Sequence, residues 1–372
     1  MNKITLYGFA ISLYTGRARS YLIKAGLPYN EIPATSAHFF ENVLPVAGPR
    51  TSYPTIETEE GDVIRDGAAI IEHYEAKNGR QFLPTTPKQK ILSLLFDVIG
   101  AEGLLRPAMH YRWGYPEENQ DFLKYHFECL LPDDREGGES TDDAMQRMRN
   151  ACQAFGAAPD TVDVVEGLYM ELLETLAAHF SASPYLFGGR PSIGDFGMIG
   201  PFFAHLGRDP KPLSLMQKKA FQLFRWVERM NRADADIGEF DCRDESYLLN
   251  DEIPITLIHL LKQLAVDFVP ETEAASRCIN RWLGANKDLQ PETPILRGVG
   301  MCEFVLRGKT ISALAQPYRF YLLKRVQDAF NTLSERHQDE VRRLLEQCEM
   351  LAVLDITIDR EIVRRNNREV WL

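Results

Sequence analysis

The sequence predicts a small α/β domain at the N-terminus, followed by a larger and almost entirely helical part. Two observations carry this prediction. A strand, a helix and a second strand fit into the first ~30 residues, and from Thr86 onward the apolar spacing is that of helices. The chain has 372 residues, and single domains cluster near ~100 to 150 residues. It is therefore long enough for two domains with cores of their own.

The first elements form a strand, a helix and a strand. "KITLYGF" (3–9) is rich in strand-forming residues, and the helix expected over 12–26 follows it. Ser12 is a good N-cap, while Gly26 with Pro28 just beyond it is a stop signal. "YNEIPA" then reads as a second strand. A strand, helix and strand this close together indicate parallel strands joined by a crossover helix.

A hairpin and a helix complete the N-terminal unit. We expect strands over 54–58 and 62–65, a tight turn at 59–61, and a helix over about 67–77. The order β-α-β, connector, β-β-α within about 80 residues is the thioredoxin-like arrangement. Residues 1–80 are therefore predicted to be a thioredoxin-like domain.

The remaining chain divides into a helical domain and an extension. We expect an all-helical domain over 86–250, with Pro107 kinking or breaking its first long helix. Its segment of about 115–160 is rich in acidic residues, Gly and Pro, and is expected to be a mobile insertion. Residues 251–372 are predicted to form a mainly helical C-terminal extension, with a possible hairpin in "CEFVLRGKTISAL".

Composition and charge indicate which binding partners and which cellular location to expect. The formal net charge of −11 repels polyanions, so nucleic acid and anionic membrane surfaces are not expected partners. No window approaches the ~20 apolar residues of a membrane span. The N-terminus shows no charged leader followed by an apolar run, which predicts a cytoplasmic protein.

Cysteine and histidine spacing gives no metal or disulfide signal. The six cysteines form no C-x-x-C pair, and free thiols in a reducing compartment are the expected state. The eight histidines show no ligand spacing with cysteines, so no metal is expected.

Three spaced motifs resemble the glutathione S-transferase family. "YPTIE" looks like the X-Pro that opens the family's third strand, where the proline is cis. "IRDGAAIIEHYE" occupies the place of the family's "ES" or "QS" pair, which opens its third helix. "PSIGD" (191–195) matches the S/T-x-x-D capping box of a buried helix, formed here by Ser192 and Asp195. The resemblance covers about residues 1–235, and it implies a thioredoxin-like domain followed by an all-α domain.

The resemblance implies that the glutathione thiolate attacks a small electrophile. A thiol of pKa ~8.5 must be shifted to ionise at neutral pH. Ser12 lies where serine-type members carry the hydroxyl that stabilises the thiolate, with Tyr14 or Thr15 as alternatives. An ordinary N-cap remains the other reading of Ser12. No cysteine precedes Cys129, which argues against a mixed-disulfide mechanism.

The resemblance also implies how glutathione is held. Tyr53, before the cis proline, would pair with the cysteinyl backbone, Asp66 with the ammonium, and the Gly67 amide with the γ-glutamyl carboxylate. Gly67 replaces the family's serine, so one hydroxyl contact is missing. His38 or Arg50 would bind the glycine carboxylate. The predicted glutathione-binding residues are Arg17, His38, Arg50, Tyr53, Pro54, Asp66 and Gly67.

The second substrate is predicted to lie against the first long helix of the helical domain. "RPAMHYRW" places an aromatic and cationic cluster there, and such a cluster suits a flat or acidic compound. An ordinary core position is the alternative. The predicted second-substrate residues are Met109, Tyr111, Arg112 and Trp113.

The predicted function is that of a glutathione S-transferase, a cytoplasmic homodimer acting in detoxification, with glutathione as co-substrate and no metal. A non-catalytic interaction or structural protein of the same fold, and a glutathione-dependent isomerase or lyase, are the alternatives.

Overall fold

The computed structural model describes residues 3–48, 53–130, 139–234, 238–240 and 244–372. The strands of this part of the chain are β1 Ile4–Tyr7, β2 Tyr29–Ile32, β3 Thr55–Glu57, β4 Val63–Arg65, β5 Met301–Leu306, β6 Lys309–Leu314, β7 Ile362–Arg365 and β8 Arg368–Trp371. Its α-helices are α1 Leu13–Lys24, α2 Leu44–Ala47, α3 Gly67–Lys77, α4 Pro87–Val98, α5 Leu105–Trp113, α6 Pro116–Leu130, α7 Thr141–Asn150, α8 Val162–Phe180, α9 Ile193–Ala204, α10 Pro210–Lys219, α11 Phe221–Met230, α12 Ile255–Ala285, α13 Tyr318–Asn331 and α14 Glu335–Gln347.

The N-terminal sheet has the order β2-β1-β3-β4. Strands β1 and β2 are parallel, as the short crossover through α1 predicts, and β3 runs antiparallel to both β1 and β4. The peptide bond between Tyr53 and Pro54 is cis. The predicted fold class is confirmed, because a thioredoxin-like domain precedes a helical C-terminal part.

Close backbone contact joins the elements of the helical part. A π-helical turn, Ile99–Gly103, separates α4 from α5. A side chain on Gly100 would place its Cβ 2.2 Å from the carbonyl carbon of Gly197 in α9, closer than any real contact. Glycine at both positions therefore lets the π turn lie directly against α9.

The break in the first long helix, predicted at Pro107, lies a few residues earlier in the structure. The first long helix departs from α geometry at the π turn, and Pro107 falls in the first turn of α5. Proline is tolerated there because the first amide groups of a helix have no intrahelical acceptor. The helix is interrupted before the proline rather than at it.

Much of the segment of about 115–160 is helical where a mobile insertion was expected. The helices α6 and α7 occupy it, and residues 131–138 lie outside the described residues. Asn119, Leu123 and Phe127 recur every four positions in α6 and are buried. Such spacing places these side chains, one polar and two apolar, on one face that packs against the body. The four acidic residues of α6 are exposed off this face and do not prevent the helix.

The C-terminal extension packs on both preceding parts. The hairpin predicted in "CEFVLRGKTISAL" is confirmed as β5 and β6. Helix α13 lies along α4, and Arg325 Nη1 donates to Asp97 Oδ2 at 2.9 Å. The second hairpin, β7 with β8, meets the N-terminal sheet, where Arg65 Nη2 lies 3.0 Å from Glu369 Oε2. The extension is therefore integral to the folded body.

Candidate active site

Three segments meet at one end of the N-terminal sheet. They are the loop between β1 and α1, the cis bond before β3, and the first turn of α3. The amide of Asp66 donates to the carbonyl oxygen of Pro54 at 2.9 Å. A Cβ on Gly67 would lie 3.5 Å from the carbonyl oxygen of Tyr14. The structure thus brings the predicted residues of these segments together.

Ser12 caps α1 and keeps a hydroxyl hydrogen available. Its Oγ accepts from the Thr15 amide at 3.3 Å, and the side chain is only half-buried. Among the described residues, no hydrogen-bond acceptor is found for its O–H. A hydroxyl can accept and donate at the same time. Ser12 is therefore able to cap the helix and donate to a ligand.

Thr15 is unsuited to contacting a ligand. The side chain is fully buried, and its Oγ1 accepts from the Phe9 amide at 3.2 Å. This bond fixes the loop between β1 and α1. The prediction of Thr15 as an alternative thiolate donor is wrong, because its position inside the first turn of α1 directs the side chain into the protein.

Tyr14 retains its proton. Burial raises the pKa of its hydroxyl above the ordinary value, and the nearby Glu102 carboxyl raises it further. The residue is half-buried, and no described group is recorded as its hydrogen-bond partner. A phenol that stays protonated can donate a hydrogen bond to an anion. Tyr14 therefore remains an alternative donor.

Asp66 is held by both its own helix and the C-terminal extension. It has a left-handed backbone, with φ of 86°, and its Oδ1 accepts from the amides of Ala68 and Ala69 at 2.9 and 3.2 Å. The Tyr318 hydroxyl donates to Oδ2 at 2.8 Å. Burial raises the pKa of Tyr318 well above its ordinary value, so this donor stays protonated. Tyr318 is a site residue that sequence reasoning missed.

The cations predicted to bind glutathione are engaged elsewhere or lie outside the described residues. Arg17 is 3% exposed and pairs with Asp97 of α4. His38 is exposed and its Nε2 lies 2.9 Å from Glu57 Oε2. Arg50 lies outside the described residues. The prediction for Arg17 is wrong, because its buried side chain is already paired with a carboxylate. The role of His38 stays a prediction.

The predicted second-substrate residues lie in the core. Met109, Tyr111, Arg112 and Trp113 are between 1% and 5% exposed. Every residue of α5 is buried, so the helix offers no free face to a ligand. The core alternative is therefore the correct one, and the pocket prediction is wrong.

Arg112 instead fixes the loop that precedes Ser12. Its Nε and Nη2 donate to the two carboxylate oxygens of Asp209 at 2.7 and 2.9 Å. Its Nη1 donates to the carbonyl oxygen of Ile11 at 2.8 Å. A buried guanidinium from the helical part thus positions the residue immediately before the N-cap. Arg112 is a positioning residue rather than a ligand contact.

A groove of about 370 Å³ opens beside this loop. It lies between the ends of β1 and β2, the last turn of α6 and the end of α9. Its lining includes Phe9, Ala10, His126, Cys129, Phe203 and Arg208. The Phe9 ring also lies 6.4 Å, between centroids, from that of Tyr53. The groove therefore adjoins the cis-proline segment, and its volume is in the range of small-molecule sites.

A buried acid lies near Tyr14. Glu102, in the π turn, is 3% exposed, and its Oε2 has no hydrogen-bond partner among the described residues. Burial raises its pKa to about 7, although the charges of Arg319 and Arg297 oppose the shift. The π turn is a visible cause of this placement, because such bulges redirect side chains and recur at functional sites. Nothing in the local sequence pattern indicated it.

Within the described ranges, no group of three or more His, Cys, Asp or Glu side chains is placed to hold a metal ion. Over the same residues, no helix combines the length and apolar character needed to cross a bilayer.

The family comparison matches the segment that builds this site. The model described as "Glutathione S-transferase, N-terminal domain" matches residues 6–82. The matched segment includes Ser12, the cis Tyr53–Pro54 bond and Asp66.

A curated relative is recognisable at low identity. A curated glutathione S-transferase of Pseudomonas putida is 29% identical over 101 residues, which is 26% of this chain and 43% of the relative. The match thus spans less than half the length of that relative.

Two solved structures cover more of the chain. Beta-etherase LigF of Sphingobium sp. strain SYK-6 is 16% identical, with a TM-score of 0.44, covering 64% of this chain and 99% of its own. A theta class glutathione S-transferase of Xanthomonas axonopodis pv. citri, with glutathione bound, is 20% identical, with a TM-score of 0.39, covering 65% and 100%. At these identities neither structure assigns a role to a residue of this chain.

Proposed function

We propose that the protein is a glutathione-dependent transferase that uses Ser12 to stabilise the glutathione thiolate. One observation carries the proposal. Ser12 is half-buried at the N-terminus of α1, where the cis-proline segment and the first turn of α3 also meet. The match of residues 6–82 to the transferase N-terminal domain supports glutathione as the co-substrate.

More than one group is needed to lower the pKa of the glutathione thiol sufficiently. Lowering the thiol pKa by two units needs about 2.7 kcal/mol. The N-terminus of a helix contributes roughly 0.3 to 2 kcal/mol, and a hydrogen bond to a charged acceptor roughly 1.5 to 3 kcal/mol. Neither is comfortably sufficient alone. Ser12 at the start of α1 offers both to the same sulfur.

The rest of glutathione would contact the other two segments. Tyr53 would pair with the cysteinyl backbone beside Pro54. Asp66 would receive the ammonium on Oδ2, beside the Tyr318 hydroxyl that already donates to this oxygen. The Gly67 amide would meet the γ-glutamyl carboxylate, where the helix dipole favours an anion.

The second substrate would be a small electrophile in the groove beside Phe9. This position replaces the predicted site on α5, which is buried. The groove begins at Ala10, two residues before Ser12. A thiolate held by Ser12 would therefore lie near its contents. Conjugation of such an electrophile is the detoxification chemistry predicted from the resemblance.

The homodimer and the cytoplasmic location stay predictions. The chain's own extension already covers part of the N-terminal domain, because Asn367 Nδ2 donates to the Val63 carbonyl of β4 at 2.8 Å. A dimer would therefore use other surfaces. Sedimentation equilibrium of the purified protein would decide the oligomeric state.

The test is a glutathione titration of the wild type and Ser12→Ala. The ultraviolet absorbance of the thiolate would be followed as a function of pH. We expect the wild type to bind glutathione at millimolar concentration or below with a lowered thiol pKa. We expect Ser12→Ala to raise that pKa by about 1 to 2 units, the equivalent of one charge-assisted hydrogen bond.

Ser334→Ala is the matched control. Ser334 is also a helix N-cap, accepting from the His337 amide at 3.5 Å, but it lies at the start of α14. Loss of a cap costs about 1 kcal/mol of stability in either variant, while only Ser12→Ala should move the thiol pKa. No binding at millimolar glutathione would end the transferase proposal. An unchanged thiol pKa in Ser12→Ala would transfer the role to Tyr14, which Tyr14→Phe then tests.

One observation favours a non-catalytic protein of the same fold. The Tyr318 hydroxyl already donates a hydrogen bond to Asp66 Oδ2. The ammonium group of glutathione would have to share this oxygen with it. Under this second candidate function, Tyr318 serves to dock the extension. The same titration separates the two functions, because a docking role predicts no glutathione binding in the wild type.

A further inference from the structure

The groove beside Phe9 contains an arginine without a carboxylate partner. Arg208 donates through Nη1 to the carbonyl oxygen of Ala10, and the structure records no ion pair for it among the described residues. Its guanidinium lies 5.0 Å from the centroid of the Phe203 ring. An arginine has five N–H donors. Most of those on Arg208 are therefore left for solvent or for a ligand in the groove.

The neighbouring charges leave this region positive. Arg19 forms a two-point pair with Glu31, with both N···O distances at 2.6 Å, and Arg112 forms one with Asp209. Each of these two carboxylates is therefore already paired with one of the two arginines. Arg208 is the third cation of the set, so the five groups carry one net positive charge. The chain as a whole carries a formal net charge of −11, so a site with local positive charge is an exception.

The titration of nearby groups agrees with a positive potential. Burial lowers the pKa of Arg208 from its ordinary value, and the charges of Arg19 and Arg112 lower it further, against Glu31 and Asp209. Burial also lowers the pKa of His126, across the groove, and Arg208 and Arg112 add to that shift. His126 is therefore neutral at pH 7. The groove carries its positive charge on Arg208.

The apolar part of the lining is aromatic. Phe203 packs beneath two guanidiniums, those of Arg208 and Arg19, the latter 5.8 Å from the ring centroid. Phe9 forms the wall on the side of the cis-proline segment, 5.5 Å from Phe127 between ring centroids. Aromatic walls favour a flat apolar body, and a guanidinium favours an anionic oxygen group.

We propose that the groove binds a small aromatic anion, a carboxylate or sulfonate, whose charged group pairs with Arg208 while its ring lies between Phe9 and Phe203. The proposal that this ligand binds depends only on the residues of the groove. Its role as the second substrate rests on the proposed glutathione-dependent function.

The test compares two probes that differ in charge. Naphthalene-1-sulfonate and the uncharged naphthalene-1-sulfonamide have the same ring and nearly the same size. Their affinities would be measured by calorimetry in the absence of glutathione. We expect the wild type to bind the sulfonate at least about tenfold more tightly, the equivalent of one charge-assisted hydrogen bond. We expect Arg208→Gln to lose this preference.

Arg342→Gln is the matched control variant. The Arg342 guanidinium also lies over a phenylalanine ring, 4.9 Å from the centroid of Phe330, but on α14 and exposed. This variant should keep the wild-type preference. Arg208→Lys retains the charge, so a partial preference in this variant would show that Arg208→Gln acts through charge and not through a shift of the Ala10 loop.

Three results would overturn the proposal. They are equal affinity of the wild type for both probes, no measurable sulfonate binding at millimolar concentration, and an undiminished preference in Arg208→Gln. The outcome is independent of the Ser12 titration. Sulfonate preference in a protein that does not bind glutathione would uphold the anion site and remove only its role as the second-substrate site.

Discussion

Gly67 is the residue at which the candidate site differs most from the pattern of the family it resembles. A Cβ at this position would lie 3.4 Å from Arg17 Cδ and 3.5 Å from the Tyr14 carbonyl oxygen, which are ordinary contacts. Gly67→Ser should therefore fold. If glutathione binds as proposed, the new hydroxyl adds a hydrogen bond to the γ-glutamyl carboxylate. We expect the Kd for glutathione, measured by calorimetry, to fall about fivefold to tenfold.

Gly67→Ala separates the hydroxyl from the added methyl group. Both variants gain helix propensity, since alanine and serine are better helix formers than glycine. Only Gly67→Ser should bind glutathione more tightly. Equal affinities in the two variants would contradict the placement of the γ-glutamyl carboxylate at α3.

The buried Glu102 carboxyl group should make the free energy of unfolding depend on pH. Its pKa rises from 4.5 to about 7 in the folded protein because of burial. The folded chain therefore binds more protons than the unfolded chain between these values. This contribution to stability is present at low pH and is lost as pH rises from about 4.5 to about 7. Glu102→Gln should remove the loss, which amounts to about 3 kcal/mol.

Urea unfolding at pH 5 and pH 8 would measure this effect. We expect Glu102→Gln to gain stability relative to the wild type at pH 8, with most of the gain absent at pH 5. Glu174→Gln is the control, because Glu174 is exposed on α8. A difference between Glu102→Gln and the wild type that is the same at both pH values would contradict a neutral buried acid.

Sequence reasoning found the residues whose roles are local. Ser12 caps α1, and the Ser192–Asp195 box is confirmed, with the Ser192 amide 2.9 Å from Asp195 Oδ2. Both depend on neighbours within three positions. Tyr318 and Asp66 are 252 positions apart, and no local spacing encodes such a pair. The role of Arg112 was missed for the same reason, because its partners lie on other elements.

At the scale of elements, the edge of the N-terminal sheet is closed by a side chain. Strand β4 is the last strand in the order β2-β1-β3-β4. Asn367, in the turn between β7 and β8, accepts from the Arg65 amide at 3.2 Å and donates to the Val63 carbonyl at 2.8 Å. One amide side chain thus takes the place of a neighbouring strand, which limits pairing with other chains.

Asn367→Gly should open this edge. Glycine keeps the left-handed backbone, with φ of 64° at this position, so the loss is confined to the side chain. We expect faster hydrogen exchange in peptides covering 63–65 and a stability loss of about 1 to 2 kcal/mol. Asn366→Gly, also at positive φ, is the control. Unchanged exchange at 63–65 would contradict the edge role of Asn367.

Element types were easier to predict than their packing. Strands β1 to β4 and helices α1 and α3 follow from alternation, caps and turn residues, whereas α2 was not predicted. Helix α6 could have been found from its buried residues at spacing four. Composition misled there, because acidic residues on the outer face of a helix resemble a disordered segment. The burial of α5 on all sides could not be read from its sequence, since most of its covering elements, such as α8 and α10, are distant along the chain.

At the scale of the whole molecule, the extension is expected to be required for folding. Residues 251–372 supply the buried helix α12 and the ion pairs of Arg319 with Glu271 and of Arg325 with Asp97. A chain ending at residue 250 would expose apolar surface on α4 and α8. We expect it to be insoluble or to lack a cooperative thermal transition.

A chain ending at residue 360 is the comparison. It lacks only the hairpin β7 with β8, so it should fold with a lower Tm. A soluble chain of 250 residues with full glutathione affinity would show that the predicted division near 250 separates independent domains. That result would also exclude an essential role for Tyr318.

The Asp97 carboxylate has a further consequence, in evolutionary terms. Its two oxygens bind Arg17 of the N-terminal domain and Arg325 of the extension, and Asp97 itself lies on α4. Loss of the Asp97 carboxylate would leave two neighbouring guanidiniums without the anion between them, which is costly. In an alignment of relatives that carry the extension, loss of the acid at position 97 should therefore be accompanied by loss of the cations at positions 17 and 325. In relatives that lack the extension, position 97 should vary with position 17 alone.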